Sequence, residues 1–159
     1  MDGLTRYIAE HGQSLTRLCL KLCHNAHEAE DLYQETWCRV LAKLPLYDRA
    51  KPFEPWLYTV CVNTYRNIRK KADGRQTVPL ETDVAGTAPL FDEEHDWTRQ
   101  IVNELEEKYR LVIILHYFKD YSVSELASIL RIPQGTVKSR LYKARKILKG
   151  RFEDEEPRA

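Results

Sequence analysis

Four apolar side chains, Val137, Leu141, Ala144 and Leu148, recur at i, i+4, i+7 and i+11. The stretch holding them, Gln134–Gly150, has six Lys or Arg and no acid. A helix sorts this string into two sides. At 100° per residue the apolar four make one stripe, and Lys138, Ser139, Tyr142, Lys143, Arg145, Lys146 and Lys149 take the opposite side. Just upstream, Ser122 and Glu125 have capping-box spacing, opening a short helix with Val123, Leu126, Ala127 and Leu130 turned inward. Arg131, Ile132 and Pro133 separate the two helices, and proline there ends one and starts the next. A helix-turn-helix with an apolar back and a cationic front fits a DNA major groove. An ordinary solvated helix mixes signs at i,i+4, so the missing acids point to a polyanion partner.

The other segments are helical too. Leu4, Tyr7, Ile8, Leu15, Leu18, Cys19, Leu22 and Cys23 keep a helical period over residues 4–24, interrupted only by Gly12. Asn25 and Glu28 open a second helix over about 26–44, whose stripe is Ala29, Leu32, Tyr33, Trp37, Val40, Leu41 and Leu44. Pro45, Pro52 and Pro55 bracket a loop that no helix crosses intact. A third helix then runs from about Pro55 to Lys71, with proline tolerated in its first turn. Periodicity is lost over residues 73–92 and resumes near Glu93, with a break around Glu106–Lys108. No strand pattern or internal repeat is present. The expected fold is all-α: a helical domain over 1–72, a flexible acidic linker over 73–92, a second helical domain over 93–152 ending in the helix-turn-helix, and a disordered acidic tail over 153–159.

Charge follows this division. The net charge of +1 hides +3 over residues 1–72, −6 over 73–105 and +4 over 106–159. With 43% hydrophobic residues the chain can bury a core. No apolar run approaches the ~20 residues needed to cross a bilayer, and the N-terminus lacks the pattern of a signal peptide. A cytoplasmic protein is the expectation. Cys19, Cys23, Cys38 and Cys61 lack disulfide-framework spacing and are expected as reduced thiols. Cys19, Cys23, His24 and His27 could be drawn as a metal cluster. Yet positions 23 and 24 point ~100° apart, and neither a CxxC nor an HxxxH pair is present. No metal or cofactor is expected.

In the third helix Thr59, Asn63, Arg66 and Lys70 fall within about 60° of one another, opposite Leu57, Val60, Cys61, Thr64 and Ile68. Arg69 and Lys71 add charge at its C-terminal end, where cations complement the macrodipole.

The string IPQGTVKSRLYKARKIL resembles the promoter-reading helix of bacterial extracytoplasmic-function (ECF) sigma factors. FEPWLYTVCVNTYRNIRKK resembles their −10-reading helix, and AEDLYQETWCRVLAKL their polymerase-binding helix, with Ala29, Glu30, Asp31, Leu32, Gln34 and Glu35 matching the pattern. The motifs lie in family order and extend the likeness across nearly the whole chain. The resemblance implies that Lys138, Ser139, Tyr142 and Lys143 lie over base edges of the −35 element, while Gln134, Thr136, Arg145 and Lys146 hold phosphates. Asn63, with the loop Tyr47–Glu54, would capture a −10 base from the opened strand, with Phe53 and Tyr58 as an apolar or stacking wall; Thr59, Arg66 and Lys70 complete that surface. Trp56 is expected in the core. Asp31, Gln34, Glu35 and Arg39 would face core RNA polymerase, and the linker would thread its active-site cleft. Arg131 stands where the family often has a turn glycine, and Asn67 where it often has an aspartate.

The function so implied is that of a sigma factor that binds core RNA polymerase and promoter DNA. The family also implies an anti-sigma partner, often membrane-tethered, and no small-molecule substrate. An enzyme is not expected, since no phosphate-binding glycine loop, HExxH or GxSxG is present. The alternative is a helix-turn-helix regulator that binds operator DNA as a dimer without polymerase.

Overall fold

The computed structural model describes residues 2–74 and 96–155. They fall into two compact units, each with its own core. The first holds α1 (Asp2–Leu22), α2 (Ala26–Lys43), a 3-10 turn (Leu44–Leu46) and α3 (Phe53–Gly74). The second holds α4 (Asp96–Glu104), α5 (Glu107–Ile113), a π turn (Ile114–Phe118), α6 (Val123–Leu130) and α7 (Gln134–Glu155). No strand occurs among the described residues.

In the first unit α1 packs on α2 and α3, and α2 on α3. Leu15, Leu18 and Leu22 of α1, Leu32 and Val40 of α2, and Leu57 and Tyr58 of α3 are all essentially inaccessible to water. Each such leucine contributes about 1.5–3 kcal/mol by leaving water. Gly12 does not break α1. It sits where the helices approach closely: a Cβ there would lie 3.1 Å from the Tyr33 hydroxyl. Asn25 caps α2 as expected, its Oδ1 accepting from the Glu28 amide at 2.8 Å. The reciprocal arm of the box differs, because Glu28 accepts from the His24 amide at 3.4 Å.

The stripe on α2 needs a correction. Leu41 is 54% exposed, whereas Thr36 is fully buried. On the helical wheel Thr36 lies near the centre of the stripe and Leu41 at its margin. The threonine is tolerated inside because its hydroxyl donates to the Leu32 carbonyl at 2.7 Å. Thr64 in α3 does the same with Val60, also at 2.7 Å.

In the second unit α4, α5 and α6 all pack on α7. Leu111, Val112, Leu115, Leu126, Ile129 and Leu130 surround the predicted stripe, and Val137, Leu141, Ala144 and Leu148 are all buried. Arg151 at the far end of α7 pairs with Glu104 at 2.6 Å, tying it to the end of α4. The break before α5 lies at Leu105–Glu106.

Two predicted boundaries shift. Asp73 and Gly74 belong to the last turn of α3, and the rest of the 73–92 linker lies outside the described residues. Glu153–Glu155, read from the sequence as tail, continue α7, while 156–159 are outside the description. The predicted resumption near Glu93 also falls outside it; α4 is described from Asp96.

Candidate nucleic-acid and polymerase interfaces

The cationic side of α7 is held out by the turn before it. Ser122 accepts from the Glu125 amide and Glu125 from the Ser122 amide, both at 3.1 Å, so the capping box on α6 is complete. Arg131 then adopts the left-handed conformation (φ 58°), which explains the family's preference for glycine there. The Pro133 carbonyl accepts from Thr136 at 3.0 Å and Val137 at 3.1 Å, starting α7. With the stripe anchored, Gln134, Lys138, Ser139, Tyr142, Lys143, Arg145, Lys146 and Lys149 are all exposed and Thr136 half-buried. Among the described residues Lys138, Lys143, Lys146 and Lys149 make no ion pair. Their charge is available to an outside anion.

At the start of α7 a concavity of about 280 Å³ is lined by Lys108 and Tyr109 of α5 with Gly135, Thr136, Ser139, Arg140 and Lys143. Three cations, three hydroxyls and a helix N-terminus suit a phosphate group. Lys108 escaped the sequence reading, since nothing in the local pattern around it shows that the fold brings it beside α7. Arg140 is half-buried and lines this cup.

In the first unit Asp31, Gln34, Glu35 and Arg39 line one groove of about 520 Å³ between α2 and α3. Cys38, Asn67, Ile68 and Lys71 complete it. The groove is polar and internally paired: Arg39 contacts Glu35 at 3.3 Å, and outside it His27 approaches Asp31 at 3.6 Å. Ile68 is 39% exposed, although the helical wheel assigned it to the apolar side. Leu41 on α2 and Leu46 on the 3-10 turn are more exposed still. Polar groups around an exposed large aliphatic, here Ile68, suit a protein-binding surface.

The −10 candidates divide. Thr59, Asn63 and Arg66 are half-buried and Lys70 is exposed, so this stripe of α3 reaches solvent. Phe53 and Tyr58 do not form a stacking wall. Phe53 is 7% exposed and wedged among rings, stacked on Tyr7 with centroids 3.9 Å apart and flanked by Trp37, Tyr47 and Trp56. Tyr58 has no exposed surface and hydrogen-bonds the Ser14 hydroxyl. Burial and the nearby Glu54 carboxylate push its phenol above 10.0, against the Ser14 bond. The half-exposed rings beside the loop are instead Tyr47 and Trp56, 4.9 Å apart. Trp56, expected in the core, is half-buried rather than enclosed.

The cysteines offer no ligand set. Cys19 and Cys61 are buried with sulfurs 4.0 Å apart. The partner thiol and burial push Cys19 far up, so it stays protonated and inert. Among the described residues no group of three His, Cys, Asp or Glu could hold a metal, and no helix is long and apolar enough to cross a membrane.

Residues 7–75 match the family described as Sigma-70 region 2, and residues 95–148 match Sigma-70, region 4. The chain is 31% identical to the ECF RNA polymerase sigma factor SigW of Bacillus subtilis, over 96% of this chain and 90% of that protein. The chain belongs to the ECF sigma factors. ECF sigma factor SigL of Mycobacterium tuberculosis is 34% identical over 88% of this chain and 83% of its own length. In fold, this sigma factor is similar to RpoE of Bartonella quintana, solved with the anti-sigma factor NepR (TM-score 0.74, 24% identity, 98% of this chain and 100% of that one). It is also similar to CnrH, solved with the cytosolic domain of CnrY (TM-score 0.72, 21% identity, 96% and 89%). Region 2 is thus the first compact unit and region 4 the second.

Proposed function

We propose that this sigma factor selects promoters with two surfaces on separate units, both delivered by one core RNA polymerase. The observation that carries the reading is the face of α7: among the described residues Lys138, Lys143, Lys146 and Lys149 are exposed and without ion pairs over a buried stripe. In region 4, Lys138, Ser139, Tyr142 and Lys143 read base edges at −35. Gln134, Thr136, Arg145 and Lys146 hold phosphates, with Lys108 and Arg140 added by the cup at the start of α7.

In region 2 the groove lined by Asp31, Gln34, Glu35 and Arg39 meets core polymerase. Asn63, with Thr59, Arg66 and Lys70, takes a −10 base from the opened strand, and Trp56 and Tyr47 supply the aromatic wall. Joining two weak readers through one polymerase raises the effective concentration of each, so neither needs high affinity. The chain lends specificity and does no chemistry itself. It works in the cytoplasm and is held inactive by an anti-sigma partner, as NepR and CnrY accompany the solved relatives.

Association with sigma-free core polymerase tests this reading. Wild-type chain is expected to co-elute with core, and Asp31→Lys with Glu35→Lys to abolish co-elution while circular dichroism keeps its helical signal. Undiminished association of the double variant would remove the groove from the polymerase interface.

A further inference from the structure

Tyr117 belongs to no surface assigned above, yet it is tied to one. Its side chain is 56% exposed. Its hydroxyl accepts from Arg145 Nε at 2.5 Å, and the guanidinium carbon lies 5.5 Å from the ring centroid. The bond joins the π turn to the cationic face of α7 across 28 residues of sequence.

The π turn sets this up. It inserts an extra residue per turn at Ile114–Phe118, rotating the positions beyond it relative to an uninterrupted α-helix. The turn is closed on its far side. Asp120 takes a left-handed conformation (φ 56°), and His116 Nδ1–H donates to the Tyr121 carbonyl at 2.8 Å. The His116 ring packs edge-on against Tyr117 at 4.9 Å. Tyr117 therefore stands on a braced platform.

Of the five N–H groups on a guanidinium, the one on Nε is taken by Tyr117. The four on Nη1 and Nη2 are left, and no other partner holds Arg145 among the described residues. That terminal edge is the one a phosphate engages with two parallel bonds. We infer that Tyr117 is a positioning residue for promoter binding: it anchors Arg145 through Nε, so that the free edge meets a backbone phosphate already oriented. A lysine at 145 could carry the charge but not both contacts.

This inference rests on the region 4 reading above, and its test separates the two. Holoenzyme made with full-length chain is titrated onto duplex carrying a promoter defined by start-site mapping, over a range of salt. Tyr117→Ala is expected to weaken binding about two- to fivefold, and Tyr117→Phe, which keeps the ring, by less. Both should move the salt slope in the direction of Arg145→Ala, whose slope falls by about one. In an Arg145→Ala background neither change should cost anything further. Fully additive losses, or a wild-type salt slope with only a lowered Tm, would overturn the positioning role. Failure of the wild-type holoenzyme to bind any promoter would instead overturn the proposed function, and this inference with it.

Discussion

The two units expose their working residues in opposite ways. Region 4 puts its cations on one long helix whose apolar stripe is buried, and among the described residues Lys138, Lys143, Lys146 and Lys149 have no acidic partner. Region 2 mixes function with packing. Its proposed −10 stripe is mostly half-buried, its proposed polymerase groove holds the Arg39–Glu35 pair, and Phe53 at the start of the same helix belongs to a ring cluster that joins α1, α2 and α3. A reader of duplex needs only a rigid convex rod that enters a groove. A surface that captures a base flipped from opened DNA needs a concave, braced site, and bracing draws in the core.

The largest effect that could break this contrast is at Tyr58. As a fully buried side chain it should cost about 3–5 kcal/mol on truncation to alanine, read as a fall in the denaturant midpoint of the full chain. A Tyr58→Ala protein of normal stability that failed only in promoter opening would return Tyr58 to the DNA surface. On the region 4 side, Lys138→Ala or Lys143→Ala should leave stability unchanged. Each should cost about 1–3 kcal/mol of discrimination at one −35 position, measured by competition between promoters substituted base by base. Uniform loss across all sequences would make these lysines phosphate contacts.

A smaller effect sharpens the region 2 half. The Tyr58 phenol titrates above its unfolded value of 10.0. The folded state therefore holds that proton more tightly: its contribution is complete below pH 10 and fades as pH rises through the folded value. Tyr58→Phe should cost about 1 kcal/mol near neutrality, for the lost Ser14 bond. It should also flatten the alkaline decline in stability, followed by urea unfolding at several pH values. An unchanged alkaline slope would assign the decline elsewhere. The smallest effect concerns the turn. Arg131→Gly relieves a left-handed residue and should stabilise region 4 by about 0.5–1 kcal/mol, seen as a modest rise in Tm. Destabilisation would mean that the arginine side chain contributes more than its backbone costs.

The same contrast decided what could be read from residues alone. The stripe of α7, the capping box at Ser122 and the helical boundaries near Asn25 follow from spacing within one helix, so the sequence displays them. Thr36 and Leu41 exchange places because a side-chain bond to the helix's own carbonyl makes threonine acceptable inside, which hydrophobicity does not register. The pattern around Phe53 and Tyr58 does not show their burial, which depends on what α1 contributes, namely Tyr7 and Ser14 from distant sequence. Lys108, Tyr117, Asn67 and Lys71 share that character: each joins its surface only through a neighbouring helix. Intrahelical pattern is legible in a string; partnership between helices is not.

Run-off transcription with core polymerase, followed by footprinting of the open complex, tests most directly whether two unlike surfaces act together. With this chain added, discrete start sites and protection of two dissimilar elements, one duplex and one opened, are the expected result. A single protected palindrome that forms without polymerase would contradict the account.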